Sequence, residues 1–233
     1  MEFLAIIDWS VVLQIILIDI LLGGDNAVII ALACRNLHPN QRRAGILWGT
    51  AGAIGLRIIL TIFAVTLLQI PYLKVVGGLL LLWIGYKLMA DNGGHDANDL
   101  EAPDKLFAAI KTIIVADLVM SLDNVLAIAG AAGQVDDQAH QFGYIVFGLI
   151  VSVPIIIAGS RLVLFLIDRF PIIVTAGAGL LGWIAGGMMM TDPGMIKNFG
   201  DGIQEFATMA SIAGAVGVMV VGELAKRRRK KAH

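Results

Sequence analysis

The sequence has little charge, a single cysteine and no histidine inside a long apolar run. Only 15% of its 233 residues are charged while 58% are hydrophobic, so a soluble domain of this size would leave much apolar surface in water. The one cysteine, Cys34, excludes an intramolecular disulfide. Buried zinc and copper sites favour His and Cys ligands, so such a site is disfavoured. The four histidines all fall in predicted loops or the tail: His38, His95, His140 and His233.

The motifs of common enzyme and nucleotide-binding sites are also missing. The sequence contains no P-loop, no Gly-x-Gly-x-x-Gly that opens a helix after a strand, and no Ser/His/Asp set in one accessible region. Nucleic-acid binding would rest on the short basic tail alone. We therefore expect a protein that is not an enzyme, that needs no organic cofactor and that does not bind nucleic acid.

Long apolar runs make up most of the chain and predict a polytopic all-α membrane protein, with residues 1–233 in one transmembrane domain. Several runs exceed the roughly 18–20 residues that span a bilayer. Pro71 and Pro171 each open a run, and the polar segment 92–104 separates the third run from the fourth. The N-terminus lacks a basic segment and a cleavage site, so we expect no removable signal peptide. The seven predicted spans are 9–33, 44–69, 71–91, 107–132, 141–166, 171–191 and 205–224.

The distribution of Lys and Arg predicts the orientation of these spans. With the N-terminus outside, fourteen of the 17 Lys and Arg lie on the inner side, Lys74 and Lys197 lie in outer loops, and Arg57 lies within the membrane. Positively charged residues favour cytoplasmic loops, so we predict N-out, C-in. The basic tail is foremost a topology anchor, although it could also bind anionic lipid.

Two segments of the chain repeat each other. Residues 111–129 match residues 13–31 at an offset of 98, and further on Pro, Gly and Trp positions recur at an offset of 100. Each copy holds three helices, an odd number, so the second copy must enter the membrane from the opposite side. Transporters with such inverted repeats bind their substrate near the midplane, between the repeats. The predicted organisation is a first repeat at 9–91, a cytoplasmic acidic linker at 92–106, a second repeat at 107–191, an extra helix at 205–224 and a basic cytoplasmic tail at 225–233.

Four aspartates lie inside the apolar spans, two in each copy of an Asp-x5-Asp-Asn motif. Each costs at least about 2.5 kcal/mol near the bilayer centre, and such groups usually have a functional task. Alternatively they pair with Arg57 and only hold helices together, but one arginine cannot neutralise four carboxylates. Arg57 itself is either a counter-ion of the metal-free site or a fixed ion-pair partner in packing. The candidate metal ligands are Asp19, Asp25, Asn26, Asp117, Asp123 and Asn124.

Helix geometry relates the residues of each motif. Asp19 and Asn26 are seven residues apart and share one helix face, whereas Asp25 lies about 100° round from Asn26. A break in the helix would bring Asp25 and Asn26 towards one centre and free backbone carbonyls as ligands. The first copy has a glycine pair at this step, which either breaks the helix or permits close packing. The second copy has no glycine there, so its helix is expected to be more regular. The two steps read Gly23-Gly24 and Ser121-Leu122.

Carboxylate, amide and carbonyl oxygens would together form an all-oxygen site. Such a site suits hard divalent cations, namely Mg²⁺, Ca²⁺ or Mn²⁺. A thioether ligand from Met120 would tilt the preference towards Mn²⁺, but a methionine at this position is more often part of the core. Crowded carboxylates in a low dielectric would take up protons when the metal leaves, so protons are a candidate counter-ion.

The two motifs resemble those of the TerC family of integral membrane proteins, in particular its short, YjbE-like bacterial branch. They read Asp19-Ile-Leu-Leu-Gly-Gly-Asp25-Asn26-Ala and Asp117-Leu-Val-Met-Ser-Leu-Asp123-Asn124-Val, and the resemblance covers about residues 4–192. It implies a seven-helix transporter of the bacterial cell membrane, related to the lysine-exporter superfamily. It further implies export of divalent metal, chiefly manganese, with metal supply to secreted enzymes as a further role. Every acidic residue that the family motif requires is present.

Three functions compete at this stage. The first is an Mn²⁺ exporter that works by alternating access between the repeats, with the bilayer, the metal ion and protons as partners and a homo-oligomer as an open option. The second is a non-transporting metal donor or assembly partner for secreted proteins. The third is an intramembrane aspartyl protease, which would need one carboxylate dyad that shares a proton. The third is the weakest, because the sequence lacks a Gly-x-Gly-Asp pattern and gives the duplicated Asn no role.

Overall fold

The computed structural model describes residues 9–64, 67, 69–90, 102–132 and 138–231, and within these ranges it contains helices and turns but no strand. The predicted all-α fold is therefore confirmed. A short 3-10 helix at Asp201–Phe206 leads into the last helix. The α-helices are α1 (Trp9–Leu22), α2 (Gly24–Cys34), α3 (Pro39–Ile62), α4 (Leu73–Ala90), α5 (Ala102–Ala132), α6 (Gln138–Arg169), α7 (Ile172–Met190), α8 (Pro193–Phe199) and α9 (Ala207–Lys231).

Several of these helices are long and apolar enough to cross a membrane. Among the described residues α3, α4, α6, α7 and α9 meet this criterion, and α1 with α2 forms a sixth candidate that bends by 47°. Helix α5 has 31 residues, so at 1.5 Å per residue it exceeds the roughly 30 Å hydrocarbon core. Each predicted span overlaps one helix or, for the first, the bent pair; the count of seven crossings stays a prediction.

The outer surface of the bundle is strongly apolar. Large side chains such as Leu21, Trp48 and Phe107 are more than half exposed. In water such a surface would be a contiguous hydrophobic patch far larger than soluble monomers carry. In a bilayer the same side chains contact lipid, so the exposed surface agrees with a multi-pass membrane protein.

The first helices of the two halves run in opposite directions. The start of α1, at Val11 and Ile15, packs with Ile128 and Ala132 at the end of α5. At the other end of the bundle, residues 30–34 of α2 pack with Ala109 near the start of α5. The chain therefore places the two motif-bearing helices antiparallel, which is the arrangement that an inverted repeat produces.

The halves are interlocked rather than side by side. The bent pair α1/α2 packs along α6, and α3 packs along α5, so the first helix of each half lies on the second helix of the other. The third helices, α4 and α7, pack on each other, and α9 covers both. Gly182 and Gly186 of α7 allow this cover, because a Cβ at either would collide with the backbone of α9. The motif residues consequently lie between the halves.

The ends of some elements differ from the predicted bounds. Helix α9 runs on to Lys231, so most of the predicted basic tail continues the last helix instead of leaving it. Helix α5 begins at Ala102 and takes up the end of the predicted acidic linker, because its first turn accommodates Asp104 favourably. The part of that linker from 92 to 101 lies outside the described residues.

Candidate metal centre

A buried arginine joins the two halves at the centre of the bundle. Arg57 of α3 is 1% exposed, and its guanidinium donates to the carboxylates of Asp19 and Asp117 with one terminal nitrogen each. Asp19 comes from the first motif and Asp117 from the second, and both are buried. The guanidinium fork is suited to this task because it presents rigid, divergent N–H groups. A single guanidinium therefore bridges the equivalent aspartates of the two motifs.

Two serine hydroxyls complete the hydrogen bonding of these carboxylates. Ser121 accepts from Nε of Arg57 at 3.0 Å and donates to Asp117 at 3.1 Å. Ser152 of α6 is within hydrogen-bond distance of the other oxygen of Asp19. Both serines are fully buried. Buried charges are costly unless paired and hydrogen-bonded, so this network explains how the cluster is tolerated.

The charges of this cluster do not cancel. With both carboxylates ionised, Asp19 and Asp117 carry two negative charges against the single positive charge of Arg57. The cluster thus has a residual negative charge in a buried site of low dielectric, where electrostatic interactions are strong. Such a site favours the binding of cations.

Unpartnered polar atoms lie next to this cluster. Among the described residues, both amide atoms of Asn26, Oδ1 of Asp25 and Oγ1 of Thr50 are buried without a hydrogen-bond partner. Asn26 and Thr50 are 4% and 2% exposed. Buried polar atoms rarely lack partners in native proteins, and unsatisfied ones need an explanation such as a ligand or ion.

A small cavity lies between the unpartnered Asn26 and Thr50 and the ion pair of Arg57 with Asp117. Its volume, measured for the centre of a water-sized sphere, is about 10 Å³, which is on the order of one water molecule. Isoleucines from α2, α3, α5 and α6 close it on its apolar sides. The lining includes Asn26, Thr50, Arg57, Asp117, Ile29, Ile30, Ile54, Ile113 and Ile156.

The helix break at Gly23 places the first motif against the guanidinium. The N–H of Gly23 donates to the carbonyl of Asp19 at 2.8 Å, and α2 begins at the next residue with Asp25 in its first turn. A Cβ at Gly23 would collide with that carbonyl and lie 3.5 Å from Nη1 of Arg57. Of the two roles considered for the glycine pair, the structure shows the break.

The second aspartates of the two motifs do not meet at this centre. Each follows its partner aspartate by six residues, or about 9 Å along a helix. Because the two helices run antiparallel, Asp25 and Asp123 are displaced towards opposite ends of the bundle. Asp123 is 53% exposed and pairs with Lys74, whose amine also lies 3.4 Å from Thr191.

The six predicted ligands are therefore spread along the bundle. The structure brings Asp19 and Asp117 together and places Asn26 beside them, while Asp123 lies near one end and Asn124 is buried on the same helix. In the described part of the chain no group of three or more acidic, His or Cys residues is close enough to hold a metal ion. A ligand set of all six residues stays a prediction, and Arg57 occupies the centre at which they were expected to converge.

Sequence reasoning missed four residues of this region: Thr50, Lys74, Ser121 as a hydrogen-bond donor, and Ser152. Ser121 lies four residues after Asp117, on the same helix face, so its role was within reach. Thr50 and Ser152 gave no signal, because single hydroxyls inside apolar helices usually bond to their own backbone. Lys74 was assigned to an outer loop by the charge pattern, which does not show that its amine turns back to Asp123.

Comparison with known proteins agrees with the sequence motifs. Residues 5–230 match the integral membrane protein TerC family. The chain is 45% identical to the membrane protein YjbE of Bacillus subtilis (strain 168), over 77% of this chain and 79% of that protein. It is 24% identical to YceF of the same organism, over 77% of this chain and 70% of YceF.

A further relative comes from another bacterium. The chain is 24% identical to the inner membrane protein YgdQ of Escherichia coli (strain K12), over 70% of this chain and 73% of YgdQ. No solved structure matches the chain. The relatives are membrane proteins, so the comparisons support a multi-pass integral membrane protein with a role in membrane transport or a related process.

Proposed function

Because the chain belongs to the TerC family of integral membrane proteins, we propose that it transports a divalent metal ion across the bacterial cell membrane. The proposed ion is Mn²⁺, moving outward, with Ca²⁺ as the second candidate. The bacterial relatives named above support a bacterial inner membrane as its location. The family membership is shown by the comparison, whereas the transported ion and the outward direction are the proposed additions.

The observation that carries the proposal is the buried pair of carboxylates held by a cation between antiparallel halves. Asp19 and Asp117 contribute hard oxygen ligands from the two motifs, and the amide of Asn26 and the hydroxyl of Thr50 face the adjoining cavity without partners. Oxygen ligands of this kind suit Mg²⁺, Ca²⁺ and Mn²⁺. Ionisable groups at this depth of a membrane protein usually mark an ion pathway.

The proposed transport cycle uses the relation between the halves. Seven crossings with N-out, C-in orientation would place the centre near the bilayer midplane, and rocking of one half against the other would expose it to each side in turn. Asp25 and Asp123, displaced towards opposite ends, would lie on the paths to the two sides. Protons are the proposed counter-ion, because they compete with metal for carboxylate oxygens.

Metal flux in proteoliposomes tests this proposal. Purified protein would be supplied with Mn²⁺, Ca²⁺, Mg²⁺ and Zn²⁺ separately, with and without a pH gradient. We expect Mn²⁺ flux that a pH gradient accelerates and that Asp117→Asn abolishes. Asp168→Asn is the matched control, because Asp168 pairs with Arg42 at an exposed end of the bundle and lies outside the site.

The outcomes separate the competing functions. Equal flux in the wild type and in Asp117→Asn would contradict a pathway through the centre. Saturable Mn²⁺ binding without flux of any ion would favour the metal donor over the transporter. Equal loss in Asp168→Asn and Asp117→Asn would show that the loss arises from the fold and not from the site.

A further inference from the structure

We infer that Arg57 is a tethered cation that competes with the metal ion for Asp19 and Asp117, so that the guanidinium and the metal hold the centre in turn. The inference rests on the proposed function and adds to it the group that must leave when metal enters. Of the two roles open to Arg57, this inference assigns the exchanging counter-ion and not the permanent ion-pair partner.

The hydrogen bonds show why the two cations exclude each other. The guanidinium bonds one oxygen of each carboxylate, and the second oxygens are contacted by Ser152 and Ser121. No carboxylate oxygen of the pair is therefore left uncommitted. A metal ion that takes these oxygens must displace the N–H groups, and a dication beside a guanidinium in a buried site would be strongly repelled.

Two buried groups provide independent support for a ligand other than Arg57. Neither the amide of Asn26 nor the hydroxyl of Thr50 bonds the guanidinium or any other described group, and both line the cavity beside it. Each residue is more than nine-tenths buried. Buried polar atoms without partners beside a charged cluster indicate that a water molecule or an ion binds in the cavity.

The competitor is present in one half only. The positions that correspond to Arg57 at offsets of 98 and 100 are Ile155 and Ile157, so the second half supplies no equivalent cation. A single guanidinium leaves the pair of carboxylates one charge short of neutrality, so the centre retains attraction for metal. Full neutralisation by two arginines would remove it.

Equilibrium binding of Mn²⁺ to the detergent-solubilised full-length protein tests the inference. If the guanidinium-free centre is populated to about 10% or less, competition weakens apparent binding about tenfold. Arg57→Gln should therefore bind Mn²⁺ at least about tenfold more tightly than the wild type. Arg42→Gln is the matched control, because it removes an arginine–aspartate pair at the end of the bundle and should leave the Kd unchanged.

If Arg57→Gln does not fold, two further variants test the same competition between the guanidinium and the metal. Arg57→Lys keeps the charge but lacks a fork that reaches both carboxylates, so its Kd should fall between those of the wild type and Arg57→Gln. Arg57→Ala removes the side chain, and millimolar guanidinium chloride should then weaken Mn²⁺ binding in this variant but not in the wild type.

The results separate this inference from the proposed function. A Kd that is unchanged or weaker in Arg57→Gln and Arg57→Lys, with wild-type binding and flux intact, would overturn the competition and leave transport standing. No Mn²⁺ binding or flux in the wild type or in any variant would overturn both. Tight binding in Arg57→Gln without wild-type flux would support the competition and contradict transport.

Discussion

The two copies of the Asp-x5-Asp-Asn motif are alike in their first aspartate and different in their second. Asp19 and Asp117 are both buried and both bound by Arg57. The second aspartates differ. Asp25 has a buried oxygen without a partner, whereas Asp123 is half exposed and bound to Lys74. One duplicated sequence thus places its two first aspartates in a shared centre and its two second aspartates in dissimilar surroundings.

The difference follows from a few residues outside the motif acids. The glycine pair lets the first motif-bearing helix break at Gly23, while Ser121-Leu122 keeps α5 continuous through 31 residues. Lys74 has Val174 as its counterpart at the offset of 100, so only Asp123 gains an amine. The asymmetry agrees with the proposed transport cycle, in which the centre opens to the two sides at different times.

Removal of either central aspartate should have the largest effect on stability. In Asp19→Ala and Asp117→Ala the buried guanidinium keeps one carboxylate and Ser121, but one of its terminal nitrogens loses its acceptor. The lost hydrogen bonds should lower the free energy of unfolding by about 3 kcal/mol. If the centre is symmetric, the two losses should be similar. Unfolding in mixed micelles measures both, with Asp168→Ala as a control expected to lose about 0–1 kcal/mol. A loss confined to one of the two aspartates would break the proposed equivalence.

Replacement of the glycine at the helix break should have the next largest effect. The Cβ of Gly23→Ala would meet the carbonyl of Asp19, so we expect a loss of about 1–3 kcal/mol together with reduced Mn²⁺ flux. Gly24→Ala is a close control, because nothing lies within 4 Å of its Cβ. Equal behaviour of the two variants in unfolding and flux measurements would mean that the break is not required.

The two second aspartates should differ in their effect on transport. Asp25→Asn alters a partly buried carboxylate that has one buried oxygen without a partner, and we expect about a tenfold loss of Mn²⁺ flux, equivalent to about 1.4 kcal/mol. Asp123→Asn alters a half-exposed carboxylate that is already paired with Lys74, and the expected loss is about twofold, equivalent to about 0.4 kcal/mol. Initial rates in proteoliposomes measure both. A larger loss of flux in Asp123→Asn than in Asp25→Asn would mean that the second motif, and not the first, limits the rate of transport.

Loss of the lysine beside Asp123 should have the smallest effect. The pair is partly exposed, and such pairs contribute about 0–1 kcal/mol, so Lys74→Ala should lower the free energy of unfolding by no more than this. Lys197→Ala, in the short helix α8, is the control. If Lys74→Ala lost as much free energy of unfolding as Asp117→Ala, Lys74 would stabilise the fold by more than its ion pair with Asp123 can explain.

Sequence reasoning reached the helices and the motif acids but not their final grouping. Apolar runs bounded by Pro71, Pro171 and the polar linker predicted the helical segments well, because run length and breakers act locally. The repeat also predicted antiparallel first helices, which the packing of α1, α2 and α5 agrees with. Helix ends such as that of α9 were set too short, because the basic residues after 224 continue the helix.

The sequence does not predict which acidic side chains lie together, because this depends on how the helices pack and on which side chains then contact each other. The spacing within each motif does not show that antiparallel helices separate Asp25 from Asp123. The spacing also does not show that Arg57 bonds one aspartate from each half of the chain. Both roles of Arg57 were open from the sequence, and the structure shows the ion pairs while leaving their exchange as a proposal. The contributions of Thr50 and Ser152 depend wholly on packing.

Anomalous diffraction from the protein crystallised with Mn²⁺ would show whether the metal replaces the guanidinium between the two central aspartates. We expect one Mn²⁺ peak between Asp19 and Asp117, with carboxylate oxygens at roughly 2.0–2.6 Å from the metal and with the guanidinium of Arg57 no longer bonded to either carboxylate. A Mn²⁺ ion bound only near Asp123, or a centre in which Arg57 still bridges both aspartates at saturating Mn²⁺, would contradict it.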